Sequence, residues 1–365
     1  WTGEAPSYLQ YTGLMWDASW YRTIAENDYP AILPVSAEGV VQQNAWAFFP
    51  LFPLLVRGVM TVTTAPWYVA APLTALVLGA IAMLVVHQVI ALVIARPAAA
   101  RLSPQVRRAL PLTTVAVLTT SAASPLLQVG YTESLALLLV AAVVWALLRE
   151  RHGLAVPLIL ALGLTRAVAA PVAVVVVAHA WWRWNEARDG RPWPVTERWA
   201  AVGLAALALA SGLLWPAICG WVTGVPDAYT QTQGAWRGRG EVVPLVPWLD
   251  VARWLFGGWA TVVLVAAAVL AVLTVTCAPM RRLGPELTGW TGGYLAYLVV
   301  VVEPGTSLVR FLLLAFPVAG VVAQLALRSR FPRAAITVVL CLGLVAQVAW
   351  IALLWRLVPP SGWPP

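Results

Sequence analysis

The chain has 365 residues, of which 61% are hydrophobic and only 10% charged, and it carries a net charge of +8 with a pI near 9.9. Soluble domains carry about 25% charged residues, so this composition excludes a soluble enzyme with a large core and points to a polytopic membrane protein. All 23 basic residues are Arg, set mostly in short loops between apolar runs; that is a pattern of membrane topology, not of a nucleic-acid groove.

The chain begins at Trp1 with polar and aromatic residues instead of a signal sequence, so an upstream helix is expected to bring it across the membrane. Residues 1–66 are too polar to span. They read as an extracytoplasmic loop with interfacial amphipathic helices at 21–29 and 48–62. Residues 67–365 read as one transmembrane bundle, with spans near 67–94, 110–128, 131–148, 199–222, 258–277, 286–302, 310–327 and 334–356. The stretch 154–182 is apolar but interrupted by Thr165-Arg166 between Pro157 and Pro171. It is expected to form a re-entrant hairpin of two half-helices, with one long kinked span as the alternative. The fold class is therefore an all-α polytopic membrane protein of about 8–10 transmembrane segments.

The Arg clusters set the sidedness. Arg96, Arg101, Arg107 and Arg108, then Arg149 and Arg151, then Arg183, Arg188, Arg191 and Arg198 fall on one face if 154–182 returns to the side it left. Arg281, Arg282, Arg328, Arg330 and Arg333 join them, and the positive-inside rule makes that face cytoplasmic. The opposite, extracytoplasmic face of the plasma membrane receives Asp17, Glu133, Asp227, Glu241 and Glu303.

Asp17 lies among Trp16, Trp20 and Tyr21, and a second aromatic block follows around Trp46, Phe48 and Phe49. Aromatic faces pack on sugar C–H surfaces, and a carboxylate can take a hydroxyl proton. The competing role for Asp17 is a helix N-cap. Glu133, in Tyr131-Thr132-Glu133, and Glu303 read either as structural acids or as hydrogen-bonding walls for a sugar or headgroup. Arg166 and Arg310 lie closest to the membrane interior on this side. They read as structural partners of Glu133 or Glu303, or as a clamp on a lipid-linked phosphate, a role for which Arg310 is preferred. The segment 229–240, with Gln231, Gln233 and Trp236, reads as an acceptor-binding loop or as ordinary solvated loop. His87, His179 and the three Cys read as packing residues. No metal, nucleotide or serine-nucleophile motif is present, so neither a metal nor a cofactor is predicted.

Three motifs in order resemble the GPI mannosyltransferase II (PIG-V-like) family and its bacterial relatives. They are Trp16-Asp17 with Trp20-Tyr21, then Phe48-Phe49-Pro50-Leu51 with Pro53, then Tyr131-Thr132-Glu133. Thr165-Arg166 and Arg310-Phe311 fall where that family also has Arg-containing motifs. The resemblance implies the GT-C fold of membrane glycosyltransferases, a polyprenyl-phosphate-linked mannose donor, and Asp17 as the base in the first extracytoplasmic loop. The Lys-free composition suggests an actinobacterial source, for which a GPI anchor is not the acceptor; a different lipid, glycan or protein acceptor is expected. The residues and the resemblance together lead to an inverting mannosyltransferase. The alternatives are a lipid or sugar transporter or flippase, and a scaffold that has lost the chemistry.

Overall fold

The computed structural model describes residues 7–240, 243–355, 357–358 and 361–362; Glu241, assigned above to the outer face, lies outside the described residues. A capping box between Ser7 and Gln10 starts α1 (Tyr8–Leu14). A sharp turn then leads into α2 (Asp17–Asn27). An irregular segment, closed by a bridge between Val35 and Val41, ends in a tight turn at Ala45–Ala47 capped by Asn44 and leads to α3 (Leu51–Thr63).

The apolar runs follow as α4 (Trp67–Ile94), α5 (Pro104–Thr119), α6 (Glu133–Leu148), α7 (His152–Gly163), α8 (Val172–Arg188) and α9 (Val195–Thr223). Next come α10 (Ala228–Arg237), α11 (Val246–Phe256), α12 (Ala260–Thr276), α13 (Ala278–Arg282) and α14 (Pro285–Val301). The last are α15 (Leu308–Phe311), α16 (Pro317–Leu327) and α17 (Pro332–Leu354). Apart from a two-residue ladder pairing Leu357–Val358 with Ser361–Gly362, the described chain is all-helical, as expected.

Three boundaries differ from those read in the sequence. Helix α5 starts at Pro104 instead of 110, because Ser103 caps it by accepting from Val106 N–H and Pro104 fits the first turn. It stops at Thr119, and Ser124–Gln128 winds into a 3-10 turn. The run 310–327 is two helical pieces, Leu308–Leu314 and Pro317–Leu327, bent by 77° where Pro317 opens a new helix. The segment 229–240 is not a loop: most of it is α10, which docks on α9 and on the N-terminal segment, where Asn44 donates to Thr232 Oγ1 at 3.1 Å.

Among the described residues, four helical stretches are long and apolar enough to cross a membrane alone: Trp67–Ile94, Val195–Thr223, Val246–Arg282 and Pro332–Leu353. The most apolar windows of the last two are only 6% buried, so nearly all of that surface is left to lipid.

The chain shuttles between two ends of the bundle. At one end Arg96, after α4, donates to Glu286 at the start of α14 at 2.9 and 3.0 Å, and His179 Nδ1 lies 2.8 Å from the same carboxylate. Arg183 pairs with Glu197 there, and Arg191 bonds both Glu150 and Glu186. Because Glu150 precedes α7 and Arg191 follows α8, both ends of that helix pair lie together. The break between them lies at the other end, where Leu51 N–H donates to Leu164 O at 2.9 Å. Helix α7 approaches α9 through bare backbone: a Cβ on Gly163 would lie 2.6 Å from Ser211 O.

The second end is not flush with the bundle. Ser134, in the first turn of α6, packs on Gly79, about 18 Å along α4 from Trp67 at 1.5 Å per residue. Helix α6 therefore starts well below the top of α4. The break between α7 and α8 lines a recess together with α2, the segment before α3, α10, α14 and α15.

Candidate active site

The turn before α2 places Asp17. Trp16 adopts φ 48°, a left-handed conformation rare for a bulky residue. Its ring is wedged against Tyr11 and Trp355, with centroids 5.7 and 6.3 Å away. Trp16 thus occupies the N-cap position and Asp17 the first helical one, so Asp17 is not the side-chain cap that was its alternative reading. An acid in the first turn still suits the helix dipole.

Asp17 ends a line of alternating charges. Arg310 Nη1 donates to Asp17 Oδ2 at 2.6 Å, and Arg310 Nε lies 3.7 Å from Glu133 Oε1. Arg166 Nη1 donates to the same Glu133 oxygen at 2.8 Å and to Thr132 Oγ1 at 3.1 Å. The Phe311 ring lies under both guanidinium groups, at 4.6 Å from Arg166 and 5.2 Å from Arg310, and Tyr131 lies 5.2 Å from Arg310. Burial peaks inside this line: the Asp17 side chain is 25% exposed, Arg310 9%, Glu133 1% and Arg166 18%. Asp17 is the carboxylate that meets solvent.

It meets it in a cavity of ≈ 540 Å³, inside the range of about 300–1,000 Å³ typical of ligand sites. Asp17, Arg166 and Arg310 line one part of the wall, and Phe48, Tyr294 and Trp236 are among the aromatics around it. Trp20, Phe48 and Trp236 touch one another, with centroids 5.8, 5.4 and 5.4 Å apart. Gln233 reaches across to donate to Ala47 O at 3.3 Å. Burial, with the nearby Asp17 charge, raises the Tyr21 pKa above the usual tyrosine value, which leaves its hydroxyl a proton donor at the wall. Elsewhere on the wall Glu303 is held by Arg239 at 2.6 Å and by Arg237 at 3.6 Å. One carboxylate against two guanidinium groups leaves a net positive charge there, whereas Asp17, Arg310, Glu133 and Arg166 balance.

The structure thus brings together Asp17, Arg166, Arg310, Tyr21, Gln233, Trp236 and Glu303 around one cavity. Trp20 and Gln231 line a neighbouring groove instead. Four of the expected sugar-contacting residues lie elsewhere for identifiable reasons. Trp16 anchors the turn. Trp46 is 1% exposed, stacked on Tyr29 and Trp215, with its Nε1 donating to Pro30 O. Tyr131 and Glu133 are each 1% exposed and sit behind the Arg residues, where they position guanidinium groups instead of forming a wall. Sequence reasoning passed over Arg237 and Arg239 as partners of Glu303, and over Tyr294 and Tyr297 on α14. The latter pair carries a usable signal: Tyr294, Tyr297, Leu298 and Val301 follow helical spacing and all line the cavity. Among the described residues no group of three or more His, Cys, Asp or Glu side chains could hold a metal ion.

No curated protein and no solved structure gives a significant match to the chain. The family model described as mannosyltransferase (PIG-V) matches residues 6–181, which include Asp17, Glu133 and Arg166 of the charged line. Over those residues, just under half of the chain, the protein is similar to the mannosyltransferase (PIG-V) family, and its apolar helices make it a multi-pass membrane protein.

Proposed function

We propose that this protein is a mannosyltransferase that moves mannose from a polyprenyl-phosphate carrier to a hydroxyl of a lipid, glycan or protein acceptor, with inversion, at the extracytoplasmic face of the plasma membrane. The observation that carries the reading is Asp17, oriented by Arg310 and facing a recessed cavity walled by aromatics. In the proposed step the acceptor oxygen attacks the anomeric carbon as Asp17 takes its proton. The bond from that carbon to the phosphate oxygen breaks, and polyprenyl phosphate leaves. A single displacement on a β-linked donor gives an α-mannoside. General-base help contributes about 10²–10⁴-fold, and charge stabilisation of the leaving phosphate roughly 10²–10³-fold by analogy with oxyanion sites.

Arg310 is assigned to both events. One N–H holds the base, and the same guanidinium meets the leaving phosphate, with Arg166 next to it. Because these four charged groups balance, the long-range attraction for an anionic donor is assigned to the excess positive charge of Arg237 and Arg239.

The test is purified protein in nanodiscs with polyprenyl-phosphate mannose labelled in the sugar. Release of polyprenyl phosphate with formation of an α-mannoside is expected. Movement of intact donor between leaflets without cleavage would make the protein a flippase instead. Arg310→Ala is expected to weaken donor binding and turnover more than Arg310→Lys, because Lys keeps the charge but loses the planar fork. Equal donor binding by both variants and wild type would move the clamp to Arg166 or Arg237.

Sidedness has its own check. Thr232 is fully buried, so the exposed Glu38 is the better reporter for the site end. With Cys277 and Cys341 replaced by Ala, Glu38→Cys should react in whole cells with an impermeant thiol reagent, and Ser103→Cys and Asp189→Cys should not. The reverse pattern would put Asp17 on the cytoplasmic side and rule out the assigned face.

A further inference from the structure

A groove of ≈ 880 Å³ lies beside the cavity and shares no lining residue with it. Its wall includes Trp20, Gln42, Gln43, Gln231, Gly234 and Arg239. The partition between the two spaces is one layer of side chains thick. Trp20 lines the groove and packs on Phe48 and Trp236, which line the cavity, at 5.8 and 5.4 Å. Arg239 lines the groove and bonds Glu303, which lines the cavity, at 2.6 Å. Helix α10 supplies both walls, with Gln231 and Gly234 on the groove and Gln233 and Trp236 on the cavity. Two polar atoms buried at this partition, Trp236 Nε1 and Arg239 Nε, have no hydrogen-bond partner among the described residues.

The groove's chemistry selects its occupant. Each primary amide offers two donors and an acceptor, which matches the hydroxyls of a sugar. Trp20 offers an aromatic surface for sugar C–H groups. At the exposed Gly238 and Gly240 no side chain shields the backbone, so its polar groups are approachable. Among the described residues the aliphatic lining is only Val40, Val41 and Ala235, too little to hold an acyl chain, and no carboxylate lines the groove.

We propose that this groove binds the glycan part of the acceptor, holding at least one sugar beyond the one whose hydroxyl receives mannose. The inference rests on the transfer reading above and narrows the acceptor to an oligosaccharide or the sugar chain of a glycolipid headgroup. The acceptor crosses the partition beside Trp236, which lines the cavity and packs on Trp20 of the groove.

The test separates binding from transfer. Full-length Asp17→Asn protein in nanodiscs is titrated with methyl α-mannoside, an α-linked dimannoside and a threonine-containing peptide. Expected is dimannoside binding at least tenfold tighter than the monosaccharide, no competition by the peptide, and loss of the difference in Gln42→Ala/Gln231→Ala. Both side chains are solvent-exposed, so the variant should melt with the parent. Equal binding of the two sugars, a difference that survives the substitutions, or competition by the peptide would overturn the groove. The labelled donor is then added to otherwise wild-type protein. If no mannose is transferred while dimannoside binding depends on Gln231, the groove stands and the transfer reading falls. If mannose is transferred but the KM for dimannoside is unmoved by Gln42→Ala/Gln231→Ala, the groove alone falls.

Discussion

Asp17→Asn is expected to slow mannosyl transfer by about 10²–10⁴-fold, the usual contribution of a positioned general base, while donor affinity stays the same or tightens. The substitution is nearly isosteric. Asn keeps a carbonyl oxygen that Arg310 can hold where it now holds Oδ2 at 2.6 Å, so the turn at Trp16 and the start of α2 have no reason to move. What disappears is the anion that takes the proton. The charged line also gains one net positive charge, which favours a phosphate and is the ground for expecting donor affinity not to fall. Initial rates at saturating donor and a direct measurement of donor binding check the two halves. Turnover within tenfold of wild type would remove Asp17 from the base role; intact chemistry with weakened donor binding would make it a binding residue.

Parts of this site were legible in the sequence because the membrane leaves charged residues few places to go. An Arg inside an apolar run must face a partner or a cavity. That alone singled out Arg166 and Arg310 and listed Glu133 among their possible partners, although Arg310 lies 293 residues from the Asp17 it bonds. The directions of the aromatic side chains were not legible. Trp16, Trp20 and Trp46 look alike in composition, but Trp16 fills a turn, Trp46 is buried on a residue as distant as Trp215, and only Trp20 reaches a groove. Helix α10 was hidden because its polar, glycine-containing sequence has weak intrinsic preference for helix, and docking on α9 and Asn44 supplies the rest. The break before Pro317 was hidden for the opposite reason: the apolar run continues through it, and hydropathy does not register a bend. Hence the fold class followed from composition, while the partition between cavity and groove depended on long-range packing.

Glu133 is where fold and site depend on the same atoms, and its replacement should have the largest effect on stability. It is 1% exposed and serves two guanidinium groups, Arg166 at 2.8 Å and Arg310 at 3.7 Å. Those three residues come from α6, the break between α7 and α8, and α15, so one carboxylate ties together the floor of the recess. Removing one partner of a buried ion pair typically costs about 3–5 kcal/mol, because the other charge is left uncompensated. Glu133→Gln keeps the shape and an acceptor but leaves two Arg facing Asp17 alone. Pairing it with Arg166→Gln restores neutrality around Asp17 and Arg310. The double variant is therefore expected to be more stable than Glu133→Gln, despite carrying one more substitution, with a favourable coupling in the cycle. Thermal unfolding of the four proteins in one detergent measures this. A Glu133→Gln protein that melts with wild type, or a double variant no more stable than the single, would mean that packing of α6 against α4 holds the recess open without the ion network. Arg310 would then need no help from Glu133 to orient Asp17.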